Sequence, residues 1–127
     1  RKGLCCDYID ANGLHELNNT QGHEAGDDML RSIAREIGSR FGLRDAYRVG
    51  GDEFIIFAVD QAEAQVIHHC RAITPPLERE ACHISAGVAW RAAPVEDLEP
   101  LVKEAEGRMY AAKNEYYQAP EHDRRAR

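Results

Sequence analysis

The run Arg48-Val49-Gly50-Gly51-Asp52-Glu53-Phe54-Ile55-Ile56-Phe57-Ala58-Val59 constrains the fold more than any other stretch of the chain. Two glycines and two carboxylates sit between apolar segments, which reads as a tight β-hairpin with acid groups on its turn. Such a turn can hold a divalent cation. Glycines, lacking a Cβ, also leave peptide N–H groups uncovered for a phosphate to approach.

Around the hairpin the apolar period alternates. Leu4–Ile9 reads as a short buried strand ending at Asp10. From Asp28 onward Met29, Leu30, Ile33, Ala34, Ile37 and Phe41 recur at helical spacing, predicting a helix to about Phe41 with Gly42 as its stop. The hairpin strands are expected at about Ala46–Val49 and Phe54–Val59. Ala62, Val66, Ile67, Cys70 and Ile73 mark a second amphipathic helix, which Pro75-Pro76 terminates. Cys82, Ile84, Ala86, Val88 and Trp90 alternate as a strand does. A last helix starts near Pro100 and turns Leu101, Val102, Ala105, Met109 and Ala112 inward.

The order β-α-β-β-α-β-α contains the split unit of ferredoxin-like folds. The expected class is α+β, with a palm-type antiparallel central sheet flanked by helices. In that topology the first and third strands are antiparallel neighbours at the sheet centre, so Asp10 meets Asp52. Two carboxylates converging from separate segments, with Glu53 beside them, are what a Mg²⁺ site serving a nucleoside triphosphate needs.

At 127 residues the chain suits one domain, 1–127, with one ordinary core. Its formal charge is −6 and its Lys/Arg runs are only the short pairs at its two ends, Arg1-Lys2 and Arg124-Arg125, which argues against a nucleic-acid polymer as partner. A ferredoxin-like RNA binder would also need stacked aromatics and a basic face, and this chain offers neither. An acidic protein that handles phosphates needs metal ions. No apolar run approaches the roughly 20 residues of a membrane span and no signal peptide opens the chain, so a cytoplasmic location without membrane contact is expected. Cys5, Cys6, Cys70 and Cys82 lie in apolar segments without C-x-x-C spacing and read as reduced core thiols.

Between Asp10 and the predicted helix lies Asn12-Gly13-Leu14-His15-Glu16-Leu17-Asn18-Asn19-Thr20-Gln21-Gly22-His23-Glu24-Ala25-Gly26-Asp27. An Asn and an Asp can together read a guanine edge, the carboxylate accepting from N1–H and N2–H while the amide pairs with the remaining groups. A polar loop with an Asx cap has the same composition, and capping is the simpler reading.

Five segments, Asp10–Leu14, Asn18–Asp27, Arg48–Phe54, Ser85–Ala89 and Met109–Lys113, resemble the successive motifs of GGDEF domains, the diguanylate cyclases, in the family's order and spacing. The likeness covers residue 1 to about residue 117. It implies that two GTP molecules are condensed into cyclic di-GMP with release of two pyrophosphates, in a homodimer whose domains each bind one GTP. Asp10, the Ala11 carbonyl and Asp52 would bind Mg²⁺ or Mn²⁺, with Glu53 adding charge. Asp52 would also help deprotonate the ribose 3′-hydroxyl. Asn18 and Asp27 would hold the guanine, with Leu14 and His23 nearby. Gly50 and Gly51 would let the triphosphate pass, and Lys113 would reach its outer phosphates. His23 reads equally well as a helix-start residue.

The chain departs from the family pattern in places. His15 stands at a lysine position associated with the transition state, and Tyr116 and Tyr117 replace a glycine and a phosphate-contacting arginine. Activity is therefore expected to be reduced, and a catalytically weak GTP-binding or regulatory module acting through protein contacts is the alternative. Asn19 and Glu106 each replace an aspartate tolerably. The product-inhibition motif Arg-x-x-Asp would need Arg at Phe41 and Asp at Arg44; Arg40 and Asp45 are out of register, so no inhibitory site is expected. The family's N-terminal helix is lacking, which reads as a fragment of a longer protein fused to a sensor or dimerising region. The tail 118–127 is expected to be flexible.

Overall fold

The computed structural model describes residues 2–41 and 46–119. Strand β1 (Lys2–Asn12) leads through Gly13 into helix α1 (Leu14–Gln21) and then α2 (His23–Phe41). The hairpin β2 (Ala46–Arg48) and β3 (Glu53–Ala62) follows, then α3 (Glu63–Ala72), α4 (Thr74–Arg79), β4 (His83–Ala92) and α5 (Glu99–Gln118). The strand order is β2-β3-β1-β4, with every neighbouring pair antiparallel. This is the α+β, ferredoxin-like arrangement that the alternation implied, with β1 and β3 adjacent.

Because strand side chains alternate in direction, β1 feeds core on both faces of the sheet. On one face Ile9 and Ala11 join Ile33 and Ile37 of α2, Phe54 and Ile56 of β3, Ile73 and Leu77. On the other, Cys6 and Tyr8 join Ala89 of β4 and Leu101, Ala105 and Met109 of α5, which recur every four residues on one helix face. Burying each large aliphatic side chain contributes about 1.5–3 kcal/mol. The four cysteines are buried free thiols, and burial pushes Cys5 and Cys6 up to about 12.

Two expectations need correction. The polar stretch after Asp10 is not a loop: it folds as α1, and α2 begins at His23 rather than near Asp28. Gly13 (φ 75°) and Gly22 (φ 88°) bracket α1 in backbone conformations that other residues adopt at a cost. Pro75-Pro76 does follow the end of α3, but the prolines occupy the first turn of the short α4, where a missing N–H leaves nothing unpaired. Gly42, Arg44, Asp45, the side chain of Phe41 and nearly all of the tail 118–127 lie outside the described residues, and with them the register of the inhibitory motif.

Candidate active site

The end of β1 and the start of β3 meet in register, Asp10 opposite Glu53, and the Ala11 N–H donates to the Asp52 carbonyl at 2.8 Å. One carboxylate oxygen from each of Asp10, Asp52 and Glu53 lies within 4.8 Å of the others. Asp10 is 1% exposed. Its Oδ2 accepts from Lys113 Nζ at 3.2 Å, while its Oδ1 has no hydrogen-bond partner among the described residues. Burial and the neighbouring Asp52 push the Asp10 carboxyl up to about 6, against the pull of Lys113. Burial works to lower the Lys113 ammonium, yet Asp10 and Asp52 leave it raised on balance. Three carboxylates facing one lysine, with a buried oxygen unsatisfied, suit a hard divalent cation bound through oxygen.

Tyr8 supports this cluster from two residues before Asp10 on the same face of β1, its hydroxyl donating to Glu53 Oε1 at 2.9 Å. Desolvation and Glu53 raise the Tyr8 phenol, which keeps it the donor. The period of two in a strand was the available signal for Tyr8, and sequence reasoning passed over it. It also passed over the buried bond from Ser85 Oγ to Asn12 Oδ1 at 2.9 Å.

Lys113 and Tyr117 are four apart on α5 and share a face. The Gly13 N–H donates to the Tyr117 hydroxyl at 2.9 Å, and Tyr116 stacks in tilted fashion near His83, with ring centroids 5.9 Å apart. Two residues of α5 thus hold the two ends of the Asp10–Gly13 segment.

Asn18 of α1 reaches the start of α2. A Cβ on Gly26 would run into Asn18 Oδ1 and lie 3.1 Å from Leu14 Cδ1, so this glycine lets Leu14 and Asn18 meet the residue before Asp27. Asn18 Oδ1 is buried and has no partner among the described residues, while Asp27 is exposed. His15 and His23 are exposed as well, and His15 Nε2 lies 3.1 Å from Asn19 Nδ2, one turn along α1.

On the hairpin turn Gly50 and Gly51 are exposed, and a Cβ on Gly51 would meet nothing within 4 Å among the described residues. Neither glycine has the positive φ of Gly13 and Gly22. Arg48 Nε donates to the Gly50 carbonyl at 3.2 Å and Arg48 Nη2 to the Gly51 carbonyl at 2.7 Å.

Comparison with known proteins points the same way. A family model described as diguanylate cyclase, GGDEF domain, matches residues 7–118. The chain is 34% identical over 128 residues to the diguanylate cyclase DgcN of Escherichia coli K12, covering 91% of this chain and 31% of that protein. It is 31% identical over 122 residues to the cyclic di-GMP phosphodiesterase PdeB of Shewanella oneidensis, covering 88% of this chain and 14% of that one. The chain therefore spans less than a third of the length of these curated relatives. Among solved structures it is similar to the GGDEF domain of DgcB from Caulobacter crescentus in complex with c-di-GMP, with TM-score 0.78, 25% identity and coverage of 90% of this chain and 74% of that one.

Proposed function

The chain belongs to the GGDEF family of diguanylate cyclase domains, and on that premise we propose that it condenses two GTP molecules into cyclic di-GMP, releasing two pyrophosphates, as a homodimer. The observation that carries this reading is the meeting of Asp10, Asp52 and Glu53, with a buried Asp10 oxygen left unpartnered among the described residues. Mg²⁺ or Mn²⁺, held there by these carboxylates and the Ala11 carbonyl, would offset their charge and polarise a phosphate oxygen.

The remaining roles belong to the chain's own groups. Asn18 and Asp27 receive the guanine over Leu14, and the unpartnered Asn18 oxygen supplies an acceptor for a ring N–H or amino group. His23 lies at the start of the same helix. Gly50 and Gly51 let the triphosphate pass, the space beside Gly51 being open among the described residues, and Lys113 turns its charge towards the outer phosphates. Asp52 takes the proton from the 3′-hydroxyl of one GTP as that oxygen attacks the α-phosphorus of the other. The bond from that phosphorus to the oxygen bridging to the β-phosphate breaks, and pyrophosphate leaves. The reciprocal attack closes the ring, so two sites must face each other.

The test is GTP turnover with Mg²⁺ on a dimer enforced by a fused dimerising segment. Cyclic product that disappears in Asp52→Ala is the expected result. GTP binding without product would instead identify a weak, regulatory GGDEF module. The solvent-facing His15 and the neutral Tyr117 favour that second reading.

A further inference from the structure

A turn of two consecutive glycines has more backbone freedom than any other pair of residues, and its peptide planes are held only by what grips them. In this hairpin the grip is Arg48, at the end of edge strand β2. Its guanidinium spans two consecutive carbonyls, Nε to Gly50 at 3.2 Å and Nη2 to Gly51 at 2.7 Å. A trans peptide is planar, with C=O and the following N–H pointing in opposite directions. Fixing the Gly50 and Gly51 carbonyls towards Arg48 therefore turns the N–H groups of Gly51 and Asp52 away from it. The next peptide plane is held independently, because the Asp52 carbonyl accepts from the Ala11 N–H at 2.8 Å. Asp52 is thus gripped on both sides, by Arg48 before it and by β1 after it.

We propose that Arg48 is a positioning residue for the triphosphate: its fork orients the Gly51 and Asp52 amides as a pair of phosphate donors and sets the Asp52 carboxylate beside Asp10. The inference rests on the GTP-binding reading above and goes beyond it, since that reading gives Arg48 no part. A Cβ on Gly51 would meet nothing within 4 Å among the described residues, so no described side chain crowds that side of the turn, where an anion would approach. A lysine cannot replace the fork, because one ammonium is a point charge on a flexible stem whereas the guanidinium places two N–H groups in fixed relation.

The experiment measures binding of GTP and of guanosine, with Mg²⁺, to the wild-type chain, Arg48→Lys and Arg48→Ala, by ligand-observed NMR. Amide ¹⁵N–¹H shifts of Gly51 and Asp52 are followed in parallel, and far-UV circular dichroism checks the fold. Both variants are expected to weaken GTP about tenfold while guanosine stays within about twofold. The Gly51 and Asp52 amides should shift on GTP addition in the wild type and much less in the variants. Arg48→Lys binding GTP as tightly as the wild type would overturn the inference, as would equal losses for GTP and guanosine. A wild-type chain that binds no GTP would bring down the cyclase reading itself, and this inference with it.

Discussion

Asp7 lies at the middle of β1, between Ile56 and Val88 of the neighbouring strands, and is 1% exposed. Burial pushes the group up from 3.8 to about 6, and the Cys70 thiol, a weak donor, offsets part of the rise. The sign of the linkage follows. Below pH 3.8 both states hold the proton; as pH rises towards 6 the unfolded chain releases it first, so folding stability falls across that window and then levels off. The shift corresponds to about 3 kcal/mol of destabilisation at neutral pH. Asp7→Asn should lose correspondingly less stability than the wild type between pH 4 and pH 7.5, measured by urea unfolding. Identical pH trends would show that Asp7 is not the source. Asp10 has a similarly raised carboxyl for a different reason: burial is joined by the charge of Asp52, and Lys113 answers it. The motif made Asp10 visible in the sequence. Asp7 was lost within an apolar strand, because nothing in its local pattern tells which face receives a partner.

Among the elements, α5 carries Lys113 and Tyr117 to the site, and its height above the sheet is set by one residue of β4. A Cβ on Gly87 would collide with the Ala105 carbonyl and the Met109 N of α5. Gly87→Ala should therefore destabilise the fold by about 1–3 kcal/mol and loosen the bond from Lys113 to Asp10. Thermal and urea unfolding test the first effect, and unchanged stability would mean that α5 can ride higher at no cost. The α1 helix shows the limit of periodicity as a guide. It buries no residue completely, and only Leu14 and Leu17 pack against the core, so its sequence carries the composition of a loop. It is helical because glycines bound it and α2 covers one side. Pro75-Pro76 signals a break correctly, but position within a helix decides whether proline ends or begins one.

For the whole molecule, the proposed reaction would need two copies to bring their sites together, and each copy carries a formal charge of −6. Like charges oppose that encounter, and salt or divalent cations screen it. Cyclase activity per mole of the isolated chain should rise with protein concentration and become independent of dilution in the enforced dimer. Activity that stays flat on dilution over about 100-fold would rule out a dissociating dimer as the active form. Among the described residues no helix is long and apolar enough to cross a membrane.

The pairing of the first and third strands and the convergence of Asp10 with Asp52 were legible in the sequence, because a period of two, a period of 3.6 and a glycine turn each reflect local backbone geometry. The same residues carried the family resemblance, since Gly50-Gly51-Asp52-Glu53 and Asn18–Asp27 are contiguous motifs. Tertiary structure alone decided the pairings between distant residues: Tyr8 on Glu53, Lys113 on Asp10, Tyr117 on Gly13 and Asn18 against Gly26. The reason is physical. A hydrogen bond of about 3 Å depends on where two chain segments come to rest, and that follows from packing the whole core rather than from the residues on either side of the donor.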